Sequence, residues 1–248
     1  MAIRKYLNKI LFFILIISIQ IMNGQSKKSA DNNLNLQQQS IVAISSLTAV
    51  GDVNKLKEQL NSGLDSGVSI NEIKEILVQL YAYCGFPRSL NAISSFMNVL
   101  EERKSKGIHD PEGKKNVLNN DPDKYEQGRK VLEILTKTPQ SKPAPGFGEF
   151  APRIDAFLKE HLFADIFDSD VLTYQQRELV TIAALSAMPG LESQLQSHIK
   201  MGINTGITEN QLVQAAALIE KYINKEQAES FRKLFLKPAD TATVNKGN

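Results

Sequence analysis

Apolar positions along this chain recur at helical spacing, and no stretch sustains the two-residue alternation of a half-buried strand. From Ser40 onward, Ile41, Val42, Ile44, Leu47 and Val50 fall one, three and four residues apart. Gly51-Asp52 breaks the run, and Val53, Leu56, Leu60 and Leu64 resume it up to Gly63 and Gly67. Ser69 followed by Glu72 is a capping box, in which the serine accepts from the third helical amide and the glutamate reaches back. The helix it opens carries Ile73, Ile76, Leu77, Leu80 and Tyr81 on one face, and Gly85 and Pro87 end it; another runs over about 88–103. Further helices are predicted over 124–135, 152–163, 174–187, 192–205, 209–224 and 226–236. The expected fold class is all-α.

The helices come in two copies. The run Ser40–Val50 (SIVAISSLTAV) lies over 178–188 (ELVTIAALSAM), an offset of 138. After one residue of slack in the turn the offset is 139. Gly63 then matches Gly202, Gly67 matches Gly206, the box Ser69–Glu72 matches Thr208–Gln211, and Leu80 and Tyr83 match Ile219 and Tyr222. Glycines, caps and core positions agree together, and the offset is far longer than a solenoid repeat. Duplication of a small helical unit is the expectation.

The ends and the middle have different patterns. Arg4, Lys5 and Lys9 precede the apolar run 10–22, and small and polar residues follow it, the layout of a secretory signal peptide over 1–24. The run is short for a spanning helix, although an uncleaved N-terminal anchor is the alternative, because Met22 fits a cleavage site poorly. No cysteine follows the run, so a lipid anchor has no support. Residues 25–37 are expected to be a flexible lead-in, 38–104 the first repeat, 105–122 a charged linker rich in Gly, Pro and Asn, 123–237 the second repeat, and 238–248 a disordered tail. Export to the periplasm or the medium is implied, with no stable membrane span once the signal is removed. Loss of residues 1–24 takes three of the 29 basic residues and none of the 27 acids, leaving a net charge of −1. No basic block with interleaved aromatics exists, so a nucleic-acid partner is not expected. The single cysteine, Cys84, allows neither an internal disulfide nor a CxxC redox pair, and its apolar helical setting is that of a buried inert thiol.

At RELVTIAALSAM (177–188), LQSHIKMGINTGIT (195–208) and LNSGLDSGVSINEIKEILVQLYAYCGFPRSLNA (60–92), the chain resembles the carboxymuconolactone decarboxylase family, whose relatives include the alkylhydroperoxidase D-type proteins. The resemblance covers most of 38–104 and 123–224. It implies an all-α bundle of paired helices. It also implies homo-oligomeric rings, often trimers or hexamers, with sites near subunit or repeat interfaces.

Glu178 and His198 are the candidate catalytic pair. Glu178 lies eleven residues before Pro189 and His198 nine after it. If Pro189-Gly190 turns an antiparallel helix pair, their heights differ by only about 3 Å at 1.5 Å per residue. A carboxylate that orients an imidazole raises its basicity and suits it to proton transfer near neutral pH; the alternative is a structural salt link. The resemblance implies the catalytic reading, since the family places a Glu and a His here. The first repeat has Ser40 and Gln59 at these places, and neither can shuttle protons. Conversely, Tyr83-Cys84-Gly85-Phe86-Pro87-Arg88 has no counterpart in the second repeat. One composite site is therefore expected, with Tyr83 donating a hydrogen bond and Arg88 holding a substrate carboxylate bidentately; the alternative is that this turn only ends a helix. The peroxide-reducing branch needs two cysteines before the histidine, and Met188–Ser193 has none. His109 and His161 are isolated, no metal-ligand spacing is present, and no cofactor motif is present.

The expected activity is cofactor-free acid/base chemistry, decarboxylation or proton transfer, on a small lactone or carboxylic acid. The other class of reading is a non-catalytic periplasmic binding or assembly protein retained for its oligomer surface.

Overall fold

The computed structural model describes residues 32–117 and 122–236, so the expected signal segment 1–24 and tail 238–248 lie outside the described residues. Among the described residues every regular element is helical. The helices are α1 (Leu36–Val50), α2 (Val53–Asp65), α3 (Ile70–Cys84), α4 (Phe86–Ser105), α5 (Lys124–Thr136), α6 (Phe147–Phe150), α7 (Pro152–Ala156), a π-helical stretch (Phe157–Ile166), α8 (Tyr174–Ala187), α9 (Glu192–Asn204), α10 (Glu209–Tyr222) and α11 (Lys225–Lys233).

The duplication holds in three dimensions down to the caps. Four helices open with reciprocal capping boxes, and these form two equivalent pairs: Asn35–Gln38 with Thr173–Gln176, and Ser69–Glu72 with Thr208–Gln211. The helix-joining turns repeat as well, with left-handed Gly67 (φ 91°) answering Gly206 (φ 102°), where a side chain would be strained. Gly63 and Gly202 sit at matching helix crossings. A methyl on Gly63 would lie 3.0 Å from Ile44 Cδ1, and one on Gly202 would lie 2.9 Å from the equivalent Ile182 Cδ1.

Helices α1 and α8 pack on each other at the centre. Each is buried on all sides, α1 from Ser40 to Ala49 and α8 from Arg177 to Ala187. Their Ala, Ser and Thr positions let neighbours approach closely on every face, as an all-round buried helix requires. Pairs α1–α2 and α8–α9 are the two hairpins, while α3 and α10 each rest on both α1 and α8. The two copies therefore share one core, in which each fully buried Ile or Leu contributes about 1.5–3 kcal/mol.

Two segments are more ordered than their sequences suggest, and a third winds differently. Within the expected lead-in 25–37, of which the structure describes 32–37, Leu34 is buried and its amide donates to Gln214 Oε1 at 2.8 Å, and α1 begins at Leu36 rather than Ser40. In the expected linker, the carbonyls of Pro111 and Glu112 accept from the first amides of α3, Ile70 and Asn71, each at 3.0 Å. Arg103 ties this segment down through Asp110 and Asp65, both at 2.8 Å. The helix expected over 152–163 begins as α7 and then widens into the π-helical stretch.

That stretch and α5 form a cap with its own small core of Val131, Leu135, Leu162, Phe163, Ile166 and Phe167. They meet where Gly128 leaves no room for a side chain, since a methyl there would stand 1.7 Å from the Lys159 carbonyl oxygen. Inside the cap Lys159 and Asp155 form a fully buried ion pair at 2.8 Å, and Lys159 also donates to Tyr125 Oη and the Ser141 carbonyl. Burial opposes the charge on Lys159, but Asp155 and Tyr125 outweigh it and leave its pKa raised. The cap rests on α9 and α3 of the bundle.

Candidate active site

The hairpin α8–α9 brings Glu178 and His198 together. His198 Nδ1 lies 2.8 Å from Glu178 Oε2, with Glu178 fully buried and the imidazole retaining 9% of its side-chain surface. The contact therefore fixes which ring nitrogen faces Glu178 and leaves Nε2 free of it. Glu178 Oε1 is buried without a hydrogen-bond partner. An uncompensated carboxylate oxygen in a protein interior costs on the order of kcal/mol, so this position is not optimised for stability.

Tyr83 crosses from the first repeat to join the pair. Its ring stands edge-on to the His198 imidazole, with centroids 5.5 Å apart and planes at 80°. Its hydroxyl is buried and has no partner at normal hydrogen-bond geometry. Burial, and then the charge of Glu178, push its ionisation far above the usual value near 10, with Thr181 and Arg177 as weaker opposing influences. The hydroxyl is therefore held in its neutral form near neutral pH.

Behind the pair runs a polar seam that the sequence analysis missed. On α3, Glu75, Gln79 and Tyr83 recur every four residues and so form one stripe. They face Arg177, Glu178 and Thr181 on α8. The fully buried Arg177 donates to Gln79 Oε1 at 3.0 Å, Glu75 Oε2 at 3.2 Å and the Ser169 carbonyl at 2.7 Å; Gln79 returns bonds to the Arg177 carbonyl and Thr181 Oγ1. Burial pulls the Arg177 pKa down, with Glu75 as the main counterweight. The seam fixes the register of α3 on α8, and hence of Tyr83 on His198. Its signal was present in the four-residue spacing of Glu75, Gln79 and Tyr83.

Arg88 does not join the site. Its guanidinium donates to the Ala49 carbonyl and lies 3.4 Å from Met188 Sδ, at the far end of α8. Ten residues separate Met188 from Glu178, about 15 Å along the helix axis. The bidentate carboxylate clamp expected of Arg88 is replaced by a tie between the ends of α1 and α8. Cys84 bonds the Leu80 carbonyl through Sγ at 3.1 Å, and burial pushes its thiol up to about 11. His161 pairs with exposed Asp165 at 3.1 Å, outside the site. Among the described residues no group of His, Cys, Asp and Glu is arranged to hold a metal ion, and no helix is long and apolar enough to cross a membrane.

In the first repeat the equivalent place is an open cavity of about 550 Å³, lined by Gln39, Ser40, Gln59, Ser66 and Tyr222 among others. Ser40 Oγ bonds the Leu36 carbonyl at 3.0 Å and Ser66 Oγ at 3.1 Å, so no acid–base pair forms there.

Sequence comparison agrees with this geometry. The profile of the carboxymuconolactone decarboxylase family matches residues 20–96 and 152–235, one segment for each repeat. The chain is 29% identical over 94 residues to a 4-carboxymuconolactone decarboxylase of Acinetobacter baylyi, covering 38% of this chain and 69% of the relative. It is 24% identical over 79 residues to an uncharacterized protein of Methanocaldococcus jannaschii, covering 32% of this chain and 74% of that protein. With both matched segments falling on the two helical copies and Glu178 and His198 inside the second, this chain belongs to the carboxymuconolactone decarboxylase family.

Proposed function

We propose that the protein carries out cofactor-free acid/base chemistry on a small lactone or carboxylic acid, with His198 as acid and base and Glu178 as its orienting partner. The observation that carries this reading is the buried 2.8 Å contact between Glu178 Oε2 and His198 Nδ1. In a decarboxylation, the bond from the reacting carbon to the carboxylate breaks and carbon dioxide leaves. The electron pair left behind is held by an adjacent carbonyl until that carbon takes a proton from His198 Nε2. In a simple proton transfer the same nitrogen removes the proton and returns it. Tyr83, a neutral donor against the imidazole, hydrogen-bonds the carbonyl oxygen on which charge gathers. The family and the Acinetobacter relative support decarboxylation as the reaction class. Export, expected from residues 1–24, places the reaction outside the cytoplasm in this reading.

The test is turnover against pH over 4-carboxymuconolactone, other lactone acids and small keto acids, for the wild type and for His198→Gln. The expected result is activity on at least one of them that falls at least ~100-fold in the variant. Full activity in His198→Gln on every substrate used would overturn the mechanism. No turnover of any of them would favour the binding or assembly reading, with which the serine and glutamine of the first repeat agree.

A further inference from the structure

Between the cap and α9 lies a cavity of about 560 Å³. One wall comes from α5 and the loop after it, including Leu132, Thr136, Gln140 and Phe147, all from a stretch outside both segments that match the family. The opposite wall is α9, through Ser197, Lys200, Met201 and Asn204. The cavity therefore joins a wall outside the matched segments to one inside them, since Asp155, Leu158, Lys159 and Phe163 of the cap and the whole α9 wall fall within 152–235.

Its chemistry is specific. The lining is mostly apolar, with leucine, phenylalanine, proline and methionine side chains, and three charged groups reach it. Asp155 and Lys159 neutralise each other in their buried pair. Lys200 is exposed, and it has no hydrogen-bond or ion-pair partner among the described residues. One uncompensated ammonium on an apolar cavity selects a small anion with an apolar body, because such pockets hold the body by burial and orient it with a few polar groups. None of Glu178, His198 and Tyr83 lines the cavity, but its α9 wall brings it close to the pair. Met201, three residues after His198 on α9, lines it and belongs to the same apolar cluster as Tyr83, whose ring stands against the imidazole.

We propose that this cavity holds the body of the substrate, a small acid with an apolar or aromatic body, and that Lys200 pairs with a carboxylate that stays intact while the other end of the molecule reacts at His198. That the occupant is the substrate rests on the acid–base reading above. Met201, whose thioether is adaptable, stands between the cavity and the proton-transfer pair, and its movement lets the reacting end of the substrate reach His198.

The test is calorimetric titration of the full chain with 4-phenylbutyrate and with its uncharged amide, beside turnover assays. The carboxylate should bind at least ~10-fold more tightly than the amide, a difference that shrinks with added salt. Lys200→Ala should remove that preference while leaving amide binding unchanged. Ser197→Trp, which places an indole at the mouth from an exposed position, should weaken both probes. Absence of binding at millimolar probe, or carboxylate binding untouched by Lys200→Ala and Ser197→Trp, overturns the proposal. The two readings fail separately. Carboxylate binding lost in Lys200→Ala, with no turnover of any acid, removes the acid–base reading and leaves the binding site. Turnover lost in His198→Gln but with KM unmoved by Lys200→Ala and Ser197→Trp removes the site and leaves the acid–base pair.

Discussion

The places occupied by Glu178 and His198 in the second repeat and by Ser40 and Gln59 in the first have the same frame and different contents. Around both stand an all-buried helix, a hairpin partner, a crossing glycine against an isoleucine methyl, and a tyrosine supplied by the other repeat. In the first repeat this frame holds a serine satisfied by its own helix and leaves an open cavity. In the second it holds a buried carboxylate with one unpartnered oxygen, backed by a buried arginine and partly roofed by the cap. The frame therefore folds without the acid–base pair. A buried carboxyl oxygen with no hydrogen-bond partner is costly where a neutral alternative fits, so packing alone does not account for Glu178.

The sharpest way to break this comparison is to write the first repeat into the second. Glu178→Ser combined with His198→Gln should lower turnover by about 10²–10⁴-fold, the range for removing general acid–base catalysis. Stability to urea should stay within about 1 kcal/mol of wild type or rise, since both members of the buried pair leave together and the orphaned Glu178 oxygen goes with them. A large loss of stability would show the pair to be structural. The next largest effect concerns the backing residue. Arg177→Ala should cost about 3–5 kcal/mol, because it leaves Glu75, Gln79 and the Ser169 carbonyl facing a void. At the equivalent Gln39, whose amide only reaches the Leu34 carbonyl, alanine should cost under about 1.5 kcal/mol. Equal costs at the two positions would refute the asymmetry.

The frame was legible in the sequence because it rests on local rules: apolar spacing, caps, and glycines at an offset that survives divergence. The pair was legible because a hairpin turn at Pro189-Gly190 fixes heights by counting residues. Arg88 was misplaced because counting gives height along a helix but not which neighbour a long side chain meets. The carbonyl of Ala49 at the end of α1, an unsatisfied acceptor by rule, captured it. The cap was read as ordinary helix, since apolar periodicity does not separate α from π winding. Its buried Lys159 could not be inferred either, although Asp155 four residues earlier offered a partner. The lead-in and linker looked disordered by composition, yet each is held by hydrogen bonds to helix ends and side chains more than 35 residues away in sequence, which no local pattern encodes.

A smaller effect sharpens what the copies share. Gly63→Ala and Gly202→Ala each drive a methyl against the movable end of an isoleucine, Ile44 and Ile182. Each should cost about 1–2 kcal/mol, measured as a shift of the urea midpoint at constant slope. Similar losses confirm one frame used twice; a loss confined to Gly202 would mean that the second copy is packed more tightly around its pair.

The smallest effect separates the ends of α3 and α10, where Tyr83-Cys84 stands against Tyr222-Ile223. Burial raises the Cys84 thiol from 9.0 to about 11, and raises Tyr83 further. Below pH 9 both groups are protonated in the folded and unfolded chain, and neither makes stability depend on pH. Above pH 9 the unfolded chain releases the thiol proton first, so unfolding is favoured progressively until the folded thiol also ionises near 11; the tyrosine adds to this above its ordinary value near 10. Urea midpoints should therefore hold from pH 7 to 8.5 and fall between 9 and 11. Cys84→Ile, which copies α10, should remove the earlier part of that fall, and Tyr83→Phe the later part. At pH 8 the same shift lowers the thiolate fraction roughly 100-fold, so iodoacetamide should label native Cys84 far more slowly than the urea-unfolded chain. Equal labelling rates, or a midpoint flat to pH 11, would mean that the end of α3 is open to water and that Tyr83 does not hold a neutral hydroxyl beside His198.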